Sequence, residues 1–378
     1  MRKYQICTKT IMDTSDPRII FNDAGESDYY TNFTNNILPE WNHGIGKEKE
    51  LYRVAEKIKK SSSNKDFDCI IGISGGLDSS YAVYVAKEIM GLNPLLYHVD
   101  AGWNSHQATS NIEKLINGLN LELYTDVINW EEMKDLQRAF FYSQIPDLDF
   151  PQDTAFFSSL YKFAKKNKIK YILTGANYST ECCREPEEWG AYPGIDKILI
   201  NDIYKKFGNN KLKTFPIIDI LIYKIFYKYF FGMKVFHPLN YVSYIKKDVE
   251  KLLNEKFGWE SFQHKHHESR FTRFYEDFWL PKKFGFHKRR AHFSSLILTG
   301  QMSREEALNR ISKPELDELT LKNEFEFVAQ KMGFEVSELW NIFKGENKTY
   351  KNFKSKRGLI GIGIQMTKFL GLEKRLFR

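Results

Sequence analysis

Ser74-Gly75-Gly76-Leu77-Asp78-Ser79 follows the apolar run Cys69-Ile70-Ile71-Gly72-Ile73 and opens directly into a helix-like stretch reaching residue 90. This junction constrains the fold more than any other part of the chain. Two consecutive glycines let backbone approach an anion closely, while a helix N-terminus presents unpaired N–H groups. The turn therefore reads as a cradle for a nucleotide pyrophosphate: Ser74, Gly75, Gly76 and Ser79 surround it and the hydroxyl of Ser80 adds a donor at the rim. Asp78 is positioned to hold Mg²⁺ against the same phosphates. No GxxxxGK[ST] string occurs, which disfavours γ-phosphate cleavage and favours a site that grips the β and γ phosphates as a leaving group. A plain strand-to-helix turn with incidental serines is the alternative, and it leaves the joint presence of Ser, Gly, Gly, Asp and Ser unexplained.

Apolar runs at 68–73, 95–100, 121–127 and 170–174 alternate with helical patterns at 79–90, 105–118 and 153–166. Such βαβα alternation predicts an α/β fold: an open parallel sheet with helices on both faces and ligands beyond the carboxyl ends of the strands. Two further strand ends carry polar residues, His98-Val99-Asp100 and Thr174-Gly175-Ala176-Asn177, and the reading brings all three ends to one crevice. There His98, Val99 and Asp100 contact adenine and ribose, and Gly175 beside Thr174 lets a base or sugar lie against backbone. A fifth run at 234–236 precedes an amphipathic helix over 243–256, and the intervening 176–233 is too long for a loop. Its polar half, 181–196, reads as an insertion over the crevice. Three regions result: an N-terminal arm (1–60), the ATP-binding α/β domain (61–257) and a mostly helical C-terminal region (258–378).

A formal charge of +8 makes an anionic partner plausible without choosing one. Four cysteines (Cys7, Cys69, Cys182, Cys183) in no paired CxxC spacing give neither a disulfide framework nor a zinc ribbon, and point to a reducing cytoplasm. The apolar stretch 217–231 is interrupted by Asp219, Lys224 and Lys228, which favours a buried or interfacial helix over a spanning one. The apolar and basic run 358–378 either docks on its own domain or makes weak contact with a membrane surface.

The strand, SGGLDS turn, helix and later Thr174-Gly175 resemble PP-loop ATP pyrophosphatases (adenine nucleotide α-hydrolase-like), over roughly 66–250. Within that group the whole chain resembles the N-acetyl sugar amidotransferases of bacterial surface-polysaccharide (lipopolysaccharide O-antigen) biosynthesis. The blocks that carry this likeness include 4–8, 12–17, His98 to Ser105, Thr180-Glu181, 257–259, 265–274 and 288–292. The chain departs from the family at the arm, where only Cys7 remains of a paired-cysteine ribbon and Thr10, Ser27 and Tyr30 stand at the other positions. It departs again at His287, where an acidic residue is expected. No zinc is expected in the arm, whose packing is assigned to Ile19, Ile20 and Phe21.

The resemblance implies an ATP- and Mg²⁺-dependent conversion of an acetamido group of a nucleotide-activated sugar into an acetamidino group. The amide oxygen takes the adenylyl group, pyrophosphate leaves into the cradle, ammonia adds to carbon and AMP departs. Implied catalytic residues are Asp78, Glu181, His266 and Glu268. Implied substrate contacts are Asn177, Lys265, Arg270, Arg273, Lys288 and Arg289. Ammonia would come from separate glutaminase and cyclase-like subunits, since no glutaminase signature lies in the chain, and nucleic acid is not an expected partner. His264, His266 and His267 are too irregularly spaced for a metal set. Two rival readings share the cradle: a tRNA-modifying PP-loop enzyme of the thiolation or lysidine type, with Cys182 and Cys183 as candidate sulfur carriers, and a non-catalytic nucleotide-binding scaffold.

Overall fold

A computed structural model describes residues 3–263 and 265–371. Five strands, β1 (Cys69–Gly72), β2 (Pro94–Asp100), β3 (Leu123–Val127), β4 (Tyr171–Leu173) and β5 (Lys234–Phe236), form one parallel sheet in the order β3-β2-β1-β4-β5. β1 is the hinge of this order, with Ile70 opposite both Leu95 of β2 and Ile172 of β4. Because side chains alternate along a strand, each strand feeds both faces. Ile70, Leu95, Tyr97 and Ile172 enter one core, while Cys69, Ile71, Leu96 and Leu173 enter the other. This two-sided burial is why β1 and β2 read as continuous apolar runs rather than alternating ones.

Helices Glu48–Ser61, Leu77–Tyr84, His106–Leu119 and Lys246–Phe257 contribute to the second core. The first core takes Phe150–Lys166, Lys197–Phe207 and a helix not foreseen in the sequence, Trp130–Ser143. Its Asn129 side chain caps the Glu132 N–H, and Met133, Leu136 and Phe140 form the buried stripe. The stretch expected as a helix at 79–90 is α-helical over Leu77–Tyr84 and continues through a π-helical turn, Val85–Ile89.

The N-terminal arm folds around Cys7, whose sulfur accepts the N–H of Ser27 at 3.2 Å and of Lys9 at 3.4 Å. Thr10 and Ser27 are fully buried beside it, and Arg304 donates to the Cys7 and Thr10 carbonyls. The packing assignment is corrected at one residue: Ile19 is buried but Ile20 is 66% exposed, and the neighbouring Ile11 and Met12 fill the space instead. Ile20 points outward because its own backbone pairs with Asp28, turning the side chain to solvent.

After residue 258 the described chain is helical, and aromatic rings bind it to the α/β layers. Trp279 meets Phe141 edge-on at 4.9 Å and Phe343 at 5.2 Å, and Trp103 packs on Phe271 at 5.0 Å. Trp279 is 1% exposed, so Trp279→Ala removes a large part of this seam. The expected cost is about 3–5 kcal/mol in urea unfolding, with loss of the near-ultraviolet signal of the aromatic cluster.

Candidate active site

The β1 turn is built as tightly as its sequence suggests. Gly75 has φ +81°, and a Cβ there would overlap the Ala108 carbonyl of helix His106–Leu119. Its own carbonyl accepts Trp259 Nε1 at 3.2 Å and Asn111 Nδ2 at 3.3 Å. Gly175, at the end of β4, is pressed against the same turn, since a Cβ would lie 2.6 Å from the Asp78 carbonyl carbon. The hydroxyls of Ser74 and Ser79 lie 3.1 Å apart, and Ser74 Oγ accepts the Gly76 N–H at 3.3 Å.

Ser80 does not join them. It is fully buried in the helix, its Oγ has no hydrogen-bond partner, and the helical turn directs it away from the rim. The β2 end is a second correction to the single crevice. His98 Nδ1 bonds the Ile73 carbonyl at 2.9 Å, its Nε2 pairs with Asn104 at 2.9 Å, and Asp100 accepts Gly102 N–H at 2.8 Å. His98 and Asp100 line a separate cavity beside Thr109, and Val99 is buried. The cavity over the β1 turn is lined from the β1, β4 and β5 ends, while His98 and Asp100 of the β2 end line the other.

Asp78 is the best-held polar group at the turn. Its Oδ1 accepts Asn177 Nδ2 at 3.1 Å and the Tyr244 hydroxyl, and its Oδ2 lies 3.5 Å from Lys265 Nζ. Lys265 also donates to Glu181 Oε1 at 2.6 Å. Burial pushes Glu181 up, but the Lys265 charge outweighs it and holds the carboxyl below its ordinary range. Asn177 also caps helix Tyr178–Glu181 by accepting the Thr180 N–H, which fixes it as an orienting group for Asp78. Thr174 Oγ1 and His237 Nδ1 lie 2.8 Å apart at the rim.

Glu268 reaches the β1 turn from the C-terminal side. Its Oε1 accepts Ser74 Oγ at 3.3 Å, and its carboxylate would lie 2.8 Å from a Cβ at Gly76. A carboxylate thus stands against the β1 turn, where an anion is held by Ser74 and the backbone at Gly76. His266 adopts φ +64° and lies 3.9 Å from Glu268. Burial lowers its imidazole, yet Glu276 and Glu268 leave it raised overall despite the Lys265 charge.

Two cavities meet here. One, of about 550 Å³, lies over Ser74, Gly76, Asp78 and Gly175; the other, of about 660 Å³, runs under the 181–196 insertion. Glu181, Lys265, His266 and His292 line both. In the larger cavity Lys288 bridges Glu185 at 3.1 Å and Glu276 at 3.4 Å. Arg289 also lines it, but is engaged by Glu315 and by the Arg310 and Lys313 carbonyls.

Arg270 and Arg273 do not line these two cavities. Both donate to the buried Glu324, and Arg270 stacks over Phe327 at 3.5 Å, which ties them to helix Glu318–Met332. His267 pairs with Asp277 at 2.9 Å, and His264 lies outside the described residues. Among the described residues no three His, Cys, Asp or Glu side chains are grouped to hold a metal ion. The Cys183 thiol is pushed well up by Cys182 beside it and by burial. Tyr244, Glu185, Glu276 and His292 were missed in the sequence, where no spacing relates them to the turn.

Residues 268–369 match the family model described as LPS biosynthesis protein WbpG-like, C-terminal domain. The match is in agreement with the resemblance read from the sequence blocks. No curated protein matches the chain. Among solved structures it is similar to an NH3-dependent NAD synthetase from Campylobacter jejuni subsp. jejuni NCTC 11168, at 16% identity over 42% of this chain and 72% of that one, with a TM-score of 0.28. It is also similar to an NMN synthetase from Francisella tularensis, at 16% identity over 80% of this chain and 98% of that one, with a TM-score of 0.31.

His287, next to Lys288, supplies a test of the electrostatics. Burial, with the charges of Arg289 and Arg290, pushes its imidazole down to about 4. An unfolded histidine titrates near about 6.5, so between those values the unfolded chain binds a proton that the native chain does not. This group's contribution is complete above that window and is lost as pH falls through it. His287→Gln is expected to flatten that leg of the melting temperature against pH relative to the parent chain; an unchanged profile would show that His287 is not held neutral.

Proposed function

We propose that the chain is an ATP-dependent, AMP-forming amidotransferase that converts an acetamido group of a nucleotide-activated sugar into an acetamidino group. The observation that carries this reading is the junction at Lys265 and His266, where an anion cradle opens into a second cavity large enough for another substrate. The WbpG-like domain over 268–369 supports a role in lipopolysaccharide biosynthesis, and hence a sugar as acceptor.

An amide carbonyl resists ammonia because resonance stabilises it and oxide cannot leave. Transfer of an adenylyl group from ATP to the amide oxygen creates a leaving group, after which ammonia adds to carbon and AMP departs. The protein positions the two substrates and stabilises charge. Ser74, Gly75, Gly76 and Ser79 hold the pyrophosphate, with Thr174 and Gly175 along the nucleotide. The fit to an anion is supported by the Glu268 carboxylate already accepting a hydrogen bond from Ser74.

Mg²⁺ bound with ATP would neutralise phosphate charge, and Asp78 would hold it on Oδ2, the oxygen that faces a cation in Lys265. Lys265 would then turn toward phosphate or sugar nucleotide. Glu181, released from Lys265 by that movement and so a stronger base, is placed to take the proton of the incoming ammonium, and His266 bridges the two cavities. Lys288 and Arg289 are among the cations in the wall of the larger cavity, the side assigned to the sugar. Glu268 acts at the cradle rather than at the amide carbon. Ammonia would be supplied by glutaminase and cyclase-like subunits.

A thiolating enzyme would need a reactive sulfur, and the buried, upward-shifted Cys183 is poorly suited to that. Incubation with ATP, Mg²⁺, ammonium and a panel of acetamido sugar nucleotides is expected to give AMP, pyrophosphate and a product with NH in place of O. ADP and phosphate would sink the proposal. Asp78→Asn is expected to lower turnover by about 10²-fold or more, while Cys182→Ser and Cys183→Ser keep it; loss of turnover in both cysteine variants would favour sulfur chemistry.

A further inference from the structure

Two helical elements turn apolar stripes toward solvent. In the segment 220–231, Ile222, Ile225, Phe226, Tyr229 and Phe230 follow helical spacing and face outward, with Tyr229 and Phe230 at 70% and 74% exposed. In helix Arg357–Phe369 the outward stripe is Leu359, Ile362, Met366 and Phe369, the last 91% exposed. Their inner residues are apolar too: Ile220 and Tyr223 of one, Ile360 and Ile364 of the other, line the larger cavity together. A helix at the surface of a soluble fold normally shows the opposite outer face. Patches of this kind mark an interaction surface.

The charge pattern selects the occupant. Residues 220–247 and 347–372 contain no aspartate or glutamate, in a chain that has 48 of them. Lys224, Lys228 and Lys368 are exposed within the two elements. Lys165 lies over the rings of Tyr227 and Phe231, at 5.4 and 4.9 Å. Aromatic and aliphatic stripes flanked by cations of one sign suit a continuous anionic plane, into which rings insert at headgroup depth while lysines reach phosphates. Neither element can cross a bilayer, because among the described residues no helix is long and apolar enough.

We propose that these two elements form one docking face for an anionic phospholipid bilayer, lying in the plane of the headgroups beside the larger cavity. The reading is independent of the proposed reaction, since it concerns where the chain rests and not what it converts.

The test uses the full chain and sonicated vesicles. Co-sedimentation with phosphatidylglycerol–phosphatidylethanolamine vesicles is expected at low salt. It should fall at least about tenfold in phosphatidylcholine vesicles and be weakened by added salt. The double variant Phe226→Ser/Phe230→Ser and the charge reversal Lys224→Glu/Lys228→Glu should each reduce binding about tenfold while keeping the melting temperature of the parent chain. Absence of binding to the anionic vesicles overturns the proposal, as does binding that neither variant changes. Gel filtration supplies the remaining arm: a parent dimer that both variants convert to monomer, without vesicle binding, would reassign the face to a second copy of this chain.

Discussion

The close approach of two glycine-bearing strand ends is the constraint on which the site depends. β1 has β2 on one side and β4 on the other, so the connections leaving β1 and β4 part and open a crevice at the carboxyl edge. Gly75 and Gly175 then bring backbone together where no Cβ fits. Everything polar in the crevice is placed relative to that contact. Asp78 lies in the first turn of helix Leu77–Tyr84, Asn177 stands two residues after Gly175, and the two meet because the glycines let them.

Charge is arranged around that backbone contact in layers. Asp78 and Glu181 would repel one another in a confined space, and Lys265 sits between them to make the pair tolerable. Beyond it, Lys288 plays the same part for Glu185 and Glu276. The crevice is therefore neither a simple basic groove nor an acidic one; cations and carboxylates alternate from the cradle into the larger cavity. Such a lining suits a ligand that carries anionic and neutral polar groups along its length.

The cradle and the sheet were legible because their causes are local. A strand buried on both faces must read as an apolar run, and a turn with φ above zero at a crowded position must be glycine. The helix Trp130–Ser143 was hidden by its mixed composition, with Glu131, Glu132 and Arg138 interleaved among its core residues. The place of Arg270 and Arg273 was hidden for a different reason. Nothing in their neighbourhood of sequence reveals that Glu324 is buried against both of them. His98 was ambiguous in the same way, since its partner Ile73 is a backbone carbonyl and leaves no mark in composition. Side-chain identity announces the capacity for a contact, and only the tertiary path decides which capacity is used.

The C-terminal region enters the crevice rather than resting on it. Trp259 bonds the Gly75 carbonyl, Lys265 meets Asp78, and the Glu268 carbonyl accepts the Ser105 N–H while its carboxylate reaches Ser74. The WbpG-like segment begins at residue 268, so its border passes through the site itself. A break at that border would leave the β1 turn with Trp259 and Lys265 but without Glu268 and Lys288, which line the same pair of cavities from the other side. The two sides of the crevice are thus inherited as a single unit, and a change in what the larger cavity admits has to arise by substitution inside it rather than by exchange of a module.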